Sequence, residues 1–324
     1  MPRPLRSVVR LGVAAALAAA AAALPVSRPA GSPQGSAAYL DSIRAWQEDR
    51  RLRMRSDSGW LTIAGFAWLE PGENRFGTDA KNAIVFPPAS APPVAGTFHL
   101  ERTAGGDRIR VTAAPGVDLA CNDSLVVEKI LVPSSPGASQ VLSVGRVTFW
   151  IIARAGRWAV RLRDPESPLR REFQGLAFFP VDPSYRIAGR FEPFDPPRPL
   201  LVPNVLGYSD SALATGRVLF ALGGADRSLI PIVEDAADSN LFFVFRDATA
   251  GKETYGGGRF LTGTLEKDGR VILDFNTAHN PPCAFNPYTT CPMPPEGNDL
   301  DVEIRAGEMA AEGAGGREAH SPDR

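Results

Sequence analysis

The residues of this chain best equipped for chemistry stand together late in the sequence. Asp274, Asn276, His279 and Asn280 run directly into Pro281, Pro282 and Cys283, and the same stretch closes with Cys291, Pro292, Pro294 and Pro295. A carboxylate that orients a histidine makes a general base, so His279 with Asp274 is the catalytic candidate, and a cofactor-free hydrolase is the activity it would serve. A plainer use competes with this. Asp and Asn side chains cap turns and satisfy backbone groups that proline-rich geometry leaves without partners. Proline also lacks a backbone donor, so the segment is expected to be a stiff loop rather than a helix or a central strand.

Two other groups of side chains could hold a ligand. Tyr255 and Arg259 flank Gly256, Gly257 and Gly258, with Asp247 and Thr249 upstream. Glycines let a backbone approach a ligand closely, and arginine offers a planar fork to a carboxylate or phosphate. The bland reading is a wide hairpin loop with an Arg259–Asp247 structural pair. Arg161 sits on an alternating segment between Val160 and Leu162, near Arg154 and Asp164. If the two apolar residues face the core, Arg161 and Arg163 are solvated. If Arg161 points inward it needs a carboxylate, Asp164 or Asp274 being the obvious ones. The candidate ligand contacts are therefore Arg161, Asp247, Tyr255, Arg259, Asn276 and Asn280, gathered around one polar pocket whose rim is the proline loop. No zinc spacing, phosphate-binding glycine fingerprint or nucleophile elbow occurs, so neither a metal nor a cofactor is expected.

The elements that must position these residues read as β. Short apolar or alternating runs recur at 61–69, 83–86, 96–100, 108–113, 125–132, 147–153 and 157–162, and again at 185–193, 217–222, 229–233, 241–246, 259–265 and 271–275, separated by Gly, Pro, Asp and Asn. Hairpins are predicted across Gly156 and across Asp268-Gly269. One helix precedes them, from Tyr39 to about Arg55, with Leu40, Ile43, Trp46 and Gln47 on one face, packed outside the domain that follows. The expected organisation is a signal peptide and linker over 1–37, the helix over 38–56, a β half over 57–192, a second β half carrying the Pro/Cys loop over 193–308, and a disordered tail over 309–324. The proline-rich segment 193–203 is the expected seam between the halves, with a long crossover as the alternative.

Composition limits the partners. The formal charge is −1, which gives no electrostatic case for nucleic acid or an anionic membrane surface. Arg3, Arg6 and Arg10 precede an uncharged run over 11–24 and a small-residue segment. That pattern is a secretory signal, too short to span a bilayer comfortably, with an uncleaved membrane anchor as the competing reading. The body is therefore expected in a periplasm or the medium, where disulfides are permitted. With 3 cysteines in the chain, Cys283 and Cys291 are the pair expected to bridge. Inert thiols and a chemically active Cys283 are the alternatives.

Several phrases are similar to domain-of-unknown-function family 1684. They are Gly59-Trp60-Leu61-Thr62 through Trp68-Leu69-Glu70-Pro71-Gly72-Glu73-Asn74-Arg75-Phe76-Gly77, then Arg161-Leu162-Arg163-Asp164, then Phe245 through Thr249 and Thr254 through Leu261, and finally the Asp274 to Pro295 segment with Asn298 and Ala306-Gly307-Glu308. The resemblance implies no activity. His279 departs from it, because an aromatic tyrosine is expected there, which weakens a mechanism built on this histidine. A looser likeness, at Gly77 through Val85 and at Gly96 to His99, is to the edge of a forkhead-associated sandwich. It lacks the arginine and serine that such a domain uses for phosphothreonine. The reading is an exported all-β protein of two sandwich- or barrel-like halves binding a small anionic or polyhydroxylated ligand. A structural envelope or partner-docking protein is the further alternative.

Overall fold

Alternating hydrophobicity builds most of the molecule into strands. The computed structural model describes residues 37–131, 140–233 and 239–311; the expected signal sequence and nearly all of the expected tail lie outside them. The first described element is helix α1 (Ala37–Arg55). Strands β1 (Ile63–Trp68), β2 (Gly72–Gly77), β3 (Ile84–Val85), β4 (Gly96–Thr103), β5 (Gly106–Ala113), β6 (Ala120–Cys121), β7 (Ser124–Leu125), β8 (Glu128–Leu131), β9 (Leu142–Val144), β10 (Val147–Arg154) and β11 (Arg157–Arg163) follow. They form a six-stranded sheet, β1-β11-β10-β9-β6-β7, and a five-stranded sheet, β3-β2-β4-β5-β8. The two sheets share one core: Phe76, Phe98, Ile109 and Val111 from the second meet Leu142, Phe149, Val160 and Leu162 from the first. The β10–β11 hairpin turns at Ala155 and Gly156, both with positive φ, the left-handed pair that a two-residue turn requires.

A short helix α2 (Pro168–Arg171) leads to strands β12 (Arg186–Pro203), β13 (Ser209–Leu222), β14 (Ala225–Leu229), β15 (Asn240–Phe245), β16 (Arg259–Thr264) and β17 (Arg270–Asp274). The sheet β14-β13-β12-β17 and the β15-β16 pair enclose a second core around Val218, Phe243, Phe245, Leu261, Leu273 and Phe275. The described residues pack as one compact unit. The protein is thus mostly β, in several sheets of sandwich- or barrel-like arrangement, with one long N-terminal helix.

Two sequence expectations are corrected. The segment 193–203 is no seam, because it is the second half of β12 and pairs with β13 from Arg198 to Pro203 across an irregularity after Pro193. On its other side β12 pairs with β17 only from Arg186 to Arg190, so these prolines lie where no second ladder needs their missing donors. The helix also does not pack simply outside the strands that follow it. Tyr39, Ile43, Trp46, Arg50 and Met54 share one face, and that face reaches the far end of the chain. Tyr39 donates to both oxygens of Asp274 at 3.0 Å, and Arg50 pairs with buried Glu308.

Candidate functional site

The Asp274–Asn280 cluster is tied into this architecture. Asp274 caps the turn that starts at Phe275 by accepting from the Asn276 N–H, takes the Tyr39 hydroxyl, and lies 3.8 Å from Arg186. Burial raises its pKa, and the hydrogen bonds from Asn276 and Tyr39 offset part of that rise. Asn276 bridges Tyr39, Asp274 and the backbone of Asp182. Asn280 donates to the Met309 carbonyl at 2.7 Å, and its own carbonyl receives Arg50. His279 donates from Nδ1 to the Thr277 carbonyl at 3.1 Å. Its ring stands between Trp46 and Phe260, at 5.9 and 6.0 Å between centroids. Among the described residues Asp274 and His279 have no hydrogen bond to each other. Burial, reinforced by Arg50, pushes the imidazole pKa down to about 3, so the ring is neutral at pH 7 and fills an aromatic slot.

Arg259 and Asp247 form the structural pair. Both side chains are buried and meet at 2.9 Å. Arg259 also donates to the Ala306 and Ile304 carbonyls, while Asp247 accepts from Thr249 and from the Ile304 N–H. Gly258, at φ +95, brings its strand against the proline loop: a Cβ there would lie 2.8 Å from both the Phe245 carbonyl oxygen and the Pro294 ring. Gly258 therefore packs protein on protein. Asp274, Arg259 and Arg161 share no partner, and the expected single pocket is divided among three networks. The large surface groove, about 690 Å³ between α1 and residues Leu169 to Ala177, contains none of the three.

Arg161 is different in kind. Alternation placed Val160 and Leu162 in the core, and they are there. The opposite face is not solvent, however, because the proline loop covers it. Asn286 anchors the loop by donating to the Trp60 and Ile63 carbonyls at 2.8 and 2.7 Å, which lays Thr290 and Cys291 over β11. Arg161 is consequently 6% exposed. It donates to the Thr290 hydroxyl at 3.0 Å, and Arg154 donates to the same oxygen at 3.1 Å. Neither expected carboxylate reaches it. Asp164 is held by Arg146 at 2.9 and 3.0 Å, and Asp274 by α1. Among the described residues Arg154, Arg161 and Arg163 have no ion-pair partner. The Arg161 Nε and the Tyr208 hydroxyl are both buried without a hydrogen bond. Burial, with Arg154 adding like charge, lowers the Arg161 pKa to about 10. The guanidinium still carries its proton at pH 7.

The proline loop contains a single turn of 3₁₀ helix, Pro282–Ala284. The bridge expected between Cys283 and Cys291 is absent: both are free thiols, and the Cys283 N–H donates to the Cys291 sulfur at 3.2 Å. The turn fixes the direction of Cys283, and the Asn286 anchor fixes that of Cys291, so the loop is shaped without a covalent link. Tyr255 donates to the Cys283 sulfur at 3.7 Å. Sequence reasoning missed Thr290 and Tyr208. Thr290 had a usable signal, being next to Cys291 in the loop, whereas Tyr208 had none.

The fold and this cluster define a mostly β protein whose proline loop buries Arg161 beside the partly exposed Arg154, with no ion-pair partner for either among the described residues. A family described as "Protein of unknown function (DUF1684)" matches residues 171–309, and the chain belongs to that family. Among solved structures, the chain is similar to the solution NMR structure of the uncharacterized protein from gene locus rrnAC0354 of Haloarcula marismortui, with 33% identity over 45% of this chain and 82% of that one, at a TM-score of 0.37. No curated protein matches the chain.

Proposed function

We propose that this is an exported protein that binds a small oxyanion, a carboxylate or phosphate group, at Arg161, Arg154, Thr290 and Tyr208. One observation carries the reading: a guanidinium 6% exposed with a second arginine beside it and no acidic partner among the described residues. Holding an unpaired charge out of water costs several kcal/mol, and an anion accepting from the free Nε and from Tyr208 would recover much of that cost. Arginine's fork suits both anion types. The export reading rests on the basic and apolar pattern of residues 1–37.

Thermal melting in inorganic phosphate and in a dicarboxylate tests the binding. A ligand at a hundredfold excess over Kd stabilises by about 2.7 kcal/mol, which corresponds to roughly 5 °C in a chain of this size. Arg161→Met should lose the ligand-dependent rise while melting, without ligand, at or above the wild-type temperature, because a desolvated charge has gone. A variant that keeps the ligand response, or that melts several degrees lower without ligand, would assign Arg161 to structure instead.

A further inference from the structure

We propose that the groove beside α1 is a second binding site, separate from the arginine cluster under the proline loop, and that it takes one unbranched acyl chain ending in a free carboxylate. Four stretches meet there only in the folded chain. They are the last turns of α1, the residues from Leu169 to Ala177, the start of the proline loop at Ala284 and Phe285, and Ala310 with Ala311. The volume of about 690 Å³ lies inside the roughly 300–1,000 Å³ of small-molecule sites. That is room for one chain rather than for the two of a membrane lipid. The floor is apolar: Leu61 and Leu176 are buried with Met54, and Leu169, Phe173 and Phe285 pack on them half-buried. Phe173 and Phe285 meet edge to face at 6.1 Å. On the α1 side the groove is bounded by Leu52, which is 62% exposed. A chain lying between Leu52 and the floor covers apolar surface on both of its sides.

The rim decides the sign of the head group. Arg51 and Arg55 line the same groove, and each guanidinium lies over an aromatic ring, Phe178 at 5.0 Å and Phe173 at 5.6 Å. Those contacts hold both charges beside the opening instead of out in solvent. Arg55 has no ion-pair partner among the described residues and donates to the Phe173 carbonyl at 3.4 Å. The two acids of the groove, Glu48 and Glu172, are exposed and loosely held, Glu48 by Arg51 at 3.5 Å and Glu172 by Arg171 at 3.9 Å. They are free to turn to water while the arginines stay against their rings. Carbonyls at the end of α1 are already occupied, that of Arg55 by Arg170 and that of Arg53 by Ser56. A carboxylate arriving at Arg55 therefore meets the guanidinium rather than open helix carbonyls.

The test is calorimetry on the full chain with hexanoate, octanoate and decanoate below their micelle concentrations, and with octanol and octylammonium as neutral and cationic controls. Each added methylene should tighten binding about two- to fourfold. Octanol should bind about three- to fivefold more weakly than octanoate, and octylammonium more weakly still. Leu52→Glu, a change at an exposed position, should melt like wild type and flatten the dependence on chain length. Arg55→Gln should remove the preference for octanoate over octanol while leaving octanol binding unchanged. Arg161→Met should bind decanoate as wild type does, which keeps this site apart from the anion site. Affinity independent of chain length, or octylammonium binding as tightly as octanoate, overturns the proposal. So does loss of decanoate binding in Arg161→Met with retention in Leu52→Glu, which would assign the carboxylate to the proline-loop cluster. Co-sedimentation with vesicles of anionic phospholipid and no uptake of the free acids would make the groove a membrane contact instead.

Discussion

His279 shows how one side chain's chemistry is decided by what surrounds it. Placed between Trp46 and Phe260, its imidazole is worth more as a flat apolar surface than as a base. Its folded pKa of about 3 lies below the ordinary 6.5, so the unfolded chain binds the proton more tightly. Stability is therefore complete above about pH 6.5 and is lost as the pH falls toward 3, at up to about 1.4 kcal/mol per pH unit. Denaturant unfolding between pH 7 and pH 4 should show His279→Phe as stable as wild type at neutrality and less sensitive to acid. An equal acid slope in both proteins would mean that His279 titrates normally. Arg161 is the converse case, a residue whose neighbours leave its charge unanswered.

At the scale of elements, α1 acts as a clasp. Its face sets Tyr39 on Asp274 and Arg50 on Glu308, joining the first described element to the last turn of the second core. Glu308 is wholly buried, and burial raises its pKa against the pull of Arg50. Arg50→Met leaves that carboxylate without its cation, which costs about 3–5 kcal/mol at pH 7. Because a raised folded pKa makes the fold the tighter proton binder, acid relieves the penalty. The loss relative to wild type should shrink between pH 7 and pH 5 in chemical denaturation, and a pH-independent loss would place the helix's hold elsewhere. The amphipathic helix itself was legible from Ile43 and Trp46 in the sequence. Its docking partners were not, since they lie more than two hundred residues away.

For the whole molecule, the proline loop is where the two cores meet: Asn286 binds the backbone next to β1 and Thr290 covers β11, while Gly258 packs on Pro294. Among the described residues no helix is long and apolar enough to cross a membrane; the export reading concerns residues 1–37. Expressed from its own N-terminus in a bacterium, the chain should appear in the periplasmic fraction with its mature end soon after Ala30 or Ala37, read by intact mass. A full-length chain in the cytoplasm would overturn export, and a full-length chain in the membrane fraction would replace cleavage by anchoring.

By itself the sequence determined what local patterns can encode. Alternation located most of the strands, though not β2, β6 or β9, and it placed β14 too late; Gly156 and Asp268-Gly269 marked turns, and proline kept the 281–295 loop out of strands and α-helix, because each depends on dihedral preference and on neighbours a few residues away. Which residues of β11 share a face was equally clear from Val160 and Leu162, while which face meets the core was left open. What covers the face of Arg161 was not written locally. Only the tertiary structure brought Thr290 over Arg161, gave Asp164 to Arg146 and Asp274 to Tyr39, and so left a buried cation unpaired. Charge pairing is settled by which partners arrive from distant segments, and a strand's own alternation carries no information about them.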